Sequence, residues 1–102
     1  MVTINSKAGA EKALSCVSPE HVFYVCDGTV LRSLEELESY LQNVSIEVYS
    51  YHVTQDRNDF HNWVNDVIGD AKLAKDLAKA KNHGAAALLL KERVKWLRKK
   101  AK

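Results

Sequence analysis

Residues 58–70, NDFHNWVNDVIGD, constrain the fold of this chain more than any other stretch, because they hold an amphipathic helix together with its start and stop signals. Phe60, Trp63, Val64, Val67 and Ile68 stand at i, i+3, i+4, i+7 and i+8, which sets two aromatic and three β-branched side chains on one helical stripe. Such a stripe has to be buried. Asn58 or Asp59 offers the N-cap oxygen, Gly69 the left-handed stop, and Asp70 the cap of a following helix. With those duties assigned, only His61, Asn62, Asn65 and Asp66 are left as a polar face.

At 102 residues the chain has room for one domain, residues 1–102, and one core. Residues 1–18 show only a weak apolar pattern at Ala10, Leu14 and Val17 and read as either a mobile arm or a short helix. Pro19 separates them from HVFYVCDGTVL, two β-runs around Asp27-Gly28, the dipeptide suited to a type I′ hairpin turn. Residues 22–26 are expected to pair with residues 29–31, with Cys26 half buried in its strand. A lone hairpin is marginal in water, so its apolar face must lie on helices.

Ser33 and Glu36 form the S-x-x-E capping box of a helix whose Leu34, Leu37 and Leu41, extended by Val44, share one face. Glu35, Glu36 and Glu38 cluster in its early turns, where negative charge suits the helix dipole, and are expected to face solvent. Ser45 caps a short helix through Val53 with Ile46, Tyr49 and Val53 on one side; residues 54–57 read as a loop. After Gly69, Leu73, Ala74 and Leu77 make a narrow apolar face, and Lys72, Lys75 and Lys79 a basic one. Residues 82–84 break the pattern before a last, basic helix over residues 85–102, with Leu90, Val94, Leu97 and Ala101 on its apolar stripe. The expected fold class is α+β, a small β-hairpin packed on a bundle of four to five short helices, with Phe60 and Trp63 at the centre of the core.

No apolar run approaches the ~20 residues of a membrane span, and the amino terminus has no segment resembling a signal peptide, so the expected location is the cytoplasm. Cys16 and Cys26 are too few for a disulfide scaffold and match no metal or redox spacing; they read as reduced thiols. Charge is divided: residues 1–71 hold 4 basic and 11 acidic side chains, net −7, and residues 72–102 hold 11 basic and 2 acidic, net +9. Such asymmetry marks either a nucleic-acid or acidic-membrane surface or two halves of one fold that attract each other.

Projected at about 100° per residue, Lys91, Lys95, Arg98, Lys99 and Lys102 form a continuous arc on the last helix, the arrangement that phosphate contacts use. Its bland reading is a solvated face that complements the helix carboxyl end. Trp96 projects away from the apolar stripe, near Leu89 and between Arg93 and Lys100, as either an extension of the core or an exposed anchor for a partner. His52, Asp56, Asp59 and His61 are the residue types of acid–base or metal chemistry, but their spacing is loose. The simpler reading leaves His61 exposed and makes His52 a hydrogen-bonded, partly buried side chain near a helix end. A helix-turn-helix across Gly69 fails on Asn65 and Lys75, which stand where apolar core contacts are required. There is no phosphate loop, dinucleotide fingerprint or paired nucleophile and base.

The combination of Asp27-Gly28, the Ser33 capping box and the run from Asn58 through Phe60, Trp63 and Gly69 resembles a family of small uncharacterised prokaryotic domains, prominent in archaea, with the pattern DG-x4-SLxEL…H…NDFxxWVxDVxGD. The likeness spans residues 21–82 and implies a shared fold without supplying an activity. The expected function is a nonenzymatic binding or adaptor module that engages a protein partner through Trp96 and Arg93 or through the acidic Glu35 and Glu38. The alternative is nonspecific polyanion binding by the basic arc. No catalytic residue, metal, cofactor or membrane is expected, and the oligomeric state has no signal beyond the self-association that an exposed Trp96 favours.

Overall fold

Six helices and a two-stranded antiparallel hairpin make up the described part of the chain, Ile4 and residues 6–102, in the computed structural model. The architecture is α+β. Residues 1–3 and 5, part of the expected amino-terminal arm, lie outside the described residues.

Each helix begins where a side-chain oxygen can take the first free amides. Helix α1 (Lys7–Leu14) is capped by Ser6, α2 (Leu34–Asn43) by Ser33, α3 (Ile46–His52) by Ser45 and α4 (Asp59–Trp63) by Asn58. Asp70 caps α5 (Ala71–Ala78) and Asn82 caps α6 (His83–Ala101). Asn82 therefore opens the last helix rather than breaking the chain before it, and α6 starts two residues earlier than its apolar pattern indicates. In the capping box of α2, the Ser33 hydroxyl accepts the Glu36 N–H at 3.2 Å, while the Glu36 carboxylate accepts the Arg32 N–H at 2.8 Å, one residue ahead of the cap.

The hairpin joins β1 (Phe23–Tyr24) to β2 (Val30–Leu31), with Phe23 opposite Leu31 and Tyr24 opposite Val30. Its turn is longer than expected. Gly28 N–H donates to the Val25 carbonyl at 2.9 Å and Val25 N–H to the Thr29 carbonyl at 2.8 Å, so residues 26–28 form a three-residue loop. Only Gly28 has a positive φ, +96°, whereas a type I′ turn needs two such residues. Cys26 consequently sits in the loop, exposed, instead of half buried in a strand.

The stretch over residues 58–70 is the hub of one half of the core, with Phe60, Trp63, Val64 and Ile68 buried and Val67 at its margin. Its regular helix ends at Trp63. The chain then widens into a π turn (Val64–Ile68), which Gly69 closes at φ +86° by donating its N–H to the Val64 carbonyl at 2.8 Å. Phe60 stacks between Phe23 and Tyr49, and the Trp63 indole N–H donates to the His21 carbonyl at 2.8 Å. In the other half, α6 packs against α1, α2 and α5. Ala10 and Ala13 let α1 approach it closely, so the described part of the arm is a docked helix. Leu34, Leu37 and Leu41 meet Leu90, Val94 and Leu97 in this half of the core. Ile46 is 71 % exposed, contrary to its expected place beside Tyr49, because seven residues of α3 bury only Tyr49 and His52. Among the described residues no helix is long and apolar enough to cross a membrane.

Candidate partner-binding site

The π turn and Gly69 deliver Asp70 to the start of α5, where its Oδ1 accepts the Leu73 N–H at 3.1 Å. The same carboxylate receives Arg93 from α6, with Nε to Oδ2 at 2.7 Å and Nη2 to Oδ1 at 3.0 Å, and is 1 % exposed. This fork-to-carboxylate pair fixes α5 against α6. It also aims the guanidinium at Trp96, three residues on, with its carbon 4.4 Å from the ring centroid. Lys100 approaches that ring at 5.7 Å.

Trp96 thus stands held in place at the rim of a groove of about 650 Å³ between α5 and α6, and is 41 % exposed. Ile4, Ala71, Leu89 and Trp96 supply its apolar lining; Asp70, Lys72, Lys75, Asp76, Glu92 and Arg93 supply the polar part. A concave, largely apolar surface with an ordered aromatic at its edge is what a partner's side chain can fill. Arg93, expected to contact a partner, is instead mostly covered and committed to Asp70, so its part is to orient Trp96.

Of the expected basic arc, Lys91, Lys95, Lys99 and Lys102 are exposed and form no ion pair among the described residues. Arg98 departs from it, because its Nη2 lies 2.5 Å from Glu35 Oε2 on α2. Glu38 accepts a hydrogen bond from the Gln42 side chain at 2.6 Å. The acidic residues of α2 therefore do not form one open surface. Arg98–Glu35 and Arg93–Asp70 both join the basic carboxyl-terminal stretch to the acidic part of the chain, so some of the divided charge is spent inside the fold.

The loose His and Asp group separates. His52 and Asp59 meet, with Nδ1 to Oδ2 at 2.9 Å, and the Cys26 backbone N–H donates to His52 Nε2 at 3.1 Å. An amide can only donate, so Nε2 is the bare nitrogen and Nδ1 carries the proton. His52 is buried and its ring packs edge-on to Phe23, a more complete burial than expected. His61 is half buried and bonds the Ala74 carbonyl through Nδ1 at 2.6 Å, so it has a structural duty the sequence does not disclose; Asp56 stays exposed in the loop. Among the described residues no three His, Cys, Asp or Glu side chains converge as metal ligands.

Shifted ionisations lie at the hairpin and core, away from the groove. The Tyr40 hydroxyl, donating to Asp27 Oδ2 at 2.6 Å, holds that carboxyl below its ordinary range, helped by the Thr29 N–H. Burial, then the bond and charge of Asp27, push the Tyr40 phenol up; burial alone raises Tyr49. Asp27 and Tyr40 tether the hairpin to α2. No pair spacing announces the Asp27–Tyr40 tether or the Asp70–Arg93 bridge, whose partners lie 13 and 23 residues apart.

Comparison of the chain with protein-family models, with curated proteins and with solved structures returned no match.

Proposed function

We propose that the protein is a nonenzymatic binding module that engages a protein partner through the groove between α5 and α6. The observation that carries this reading is Trp96: a large aromatic ring left 41 % exposed, yet approached by two cations at the edge of an apolar groove. Tryptophan and arginine dominate the energetic centres of protein interfaces, and an aromatic already fixed in position loses little freedom on binding. The reading sets the encounter in the cytoplasm, where exposed thiols such as Cys16 and Cys26 stay reduced. Kinship with the archaeal domains that share the NDFxxWVxDVxGD pattern belongs to the same proposal and adds no activity to it. In capture from a native lysate of the source cells, a partner retained by the intact chain is expected to be lost with Trp96→Ala and kept with Tyr24→Ala, which removes another exposed ring. Equal capture by both variants, or no partner at all, overturns the reading.

A second reading, nonspecific binding of a polyanion, is favoured by the exposed lysines at positions 91, 95, 99 and 102, which form no ion pair among the described residues. Phosphate neutralisation releases counterions, so mobility shift of an oligonucleotide should then fall steeply with salt, with a log–log slope of about −0.7 to −0.9 per phosphate contacted. Absence of a shift at low salt removes it.

A further inference from the structure

The carboxylates of the groove are largely neutralised from within, Asp70 by Arg93 and Asp76 by Lys72 at 2.8 Å. Lys75 in the wall and Lys100 above the indole have no acidic partner among the described residues, and Glu92 alone opposes them there. Beyond the Trp96 rim, Lys95 and Lys99 are exposed and equally unpaired. An apolar floor is therefore bordered by uncompensated ammonium groups.

We infer that the groove takes an acidic amphipathic segment of the partner, with apolar side chains on Ala71, Leu89 and Trp96 and carboxylates facing Lys75, Lys100 and the lysines past the rim. This rests on the binding-module reading and adds the partner's chemistry to it. The eight residues of α5 span about 12 Å, so about two turns of a helix fill the groove. Opposite charge around an apolar contact steers the encounter and rejects basic sequences. A second copy of the chain fits poorly, because a two-fold contact here sets two basic surfaces face to face. A nucleic-acid backbone would use the lysines and leave Ala71 and Leu89 uncovered.

The test uses two labelled peptides of about 14 residues with leucines at helical spacing, one carrying glutamates at the remaining positions and one carrying lysines. Fluorescence anisotropy should show the glutamate peptide bound at least tenfold tighter at moderate salt. Trp96→Ala should weaken it about tenfold, and Lys75→Glu with Lys100→Glu should abolish the preference for acid, while Tyr24→Ala changes nothing. Circular dichroism checks that each variant is folded, and the lysine changes lie on exposed positions. Equal binding of the two peptides, or binding insensitive to the lysine reversal, overturns the inference. Trp96-dependent capture of a native partner together with such a result leaves the binding-module reading standing and removes only the acidic segment. An oligonucleotide that displaces the peptide and is indifferent to Trp96→Ala overturns it in favour of a polyanion.

Discussion

Asp70 and Arg93, 23 residues apart, share two hydrogen bonds of 2.7 and 3.0 Å in which one carboxylate both caps α5 and anchors α6. Removing one partner of a buried pair strands the other charge, at a cost of about 3–5 kcal/mol. Asp70→Ala should reach that range in urea unfolding, since the N-cap is lost as well. In the Arg93→Met variant Trp96 also loses its support, which a change in its fluorescence anisotropy would report.

Acid should loosen the hairpin through Asp27. Its folded pKa lies below the ordinary value of 3.8, so the stability it contributes is present above that value and disappears as pH falls through the depressed one. Tyr40 works in the opposite sense. Its folded pKa is raised above the ordinary 10.0, so its contribution is complete below pH 10.0 and is lost as pH rises through the raised value. Tyr40→Phe should move the Asp27 carboxyl titration, followed by NMR, up toward its ordinary range; an unmoved midpoint would show that Tyr40 is not the cause.

The buried His52 ring joins the hairpin loop to α4 through one accepting and one donating nitrogen. Nitrogen-15 NMR of the neutral ring should therefore show Nδ1 protonated and Nε2 bare. His52→Phe retains the aromatic volume but leaves the Cys26 amide without its acceptor, for an expected loss of about 1–3 kcal/mol. Faster hydrogen exchange at Cys26 should accompany it.

The two tryptophans should separate stability from binding. Trp63→Ala empties a core position and removes the hydrogen bond to His21, so a loss of about 3–5 kcal/mol is expected in denaturant unfolding. Trp96→Ala, at a half-open rim, should cost less than half as much while abolishing partner capture.

Caps and apolar periodicity carried most of the fold on the page of the sequence. Asn58, Asp70, Ser33 and Ser45 all cap the helices they announce, and Phe60 and Trp63 lie where their stripe requires. What escaped is either a local departure from regular helix or a contact between elements distant along the chain. The π turn preserves burial of Val64 and Ile68 and so leaves no trace in a pattern of period 3.6. Ile46 reads as apolar and periodic, but α3 is too short to bury a full stripe. At the candidate site, the flanking of Trp96 by Arg93 and Lys100 is local and visible as i−3 and i+4 spacing, whereas Ile4, Ala71 and Lys75 join it only through the docking of α5 on α6. Arg98 likewise belongs to the basic arc until α2 is brought beside it.

Helix α6 is the surface on which α1, α2 and α5 are all assembled, and it follows every one of them in the chain. While a ribosome has yet to release residues 83–101, the leucines of α2 and the alanines of α1 lack their main cover, and the aromatic half around Phe60 is the part that can begin to consolidate. Newly made chains should thus stay sensitive to protease and attractive to chaperones until that segment emerges, and stalling synthesis ahead of it should leave α1 and α2 unprotected.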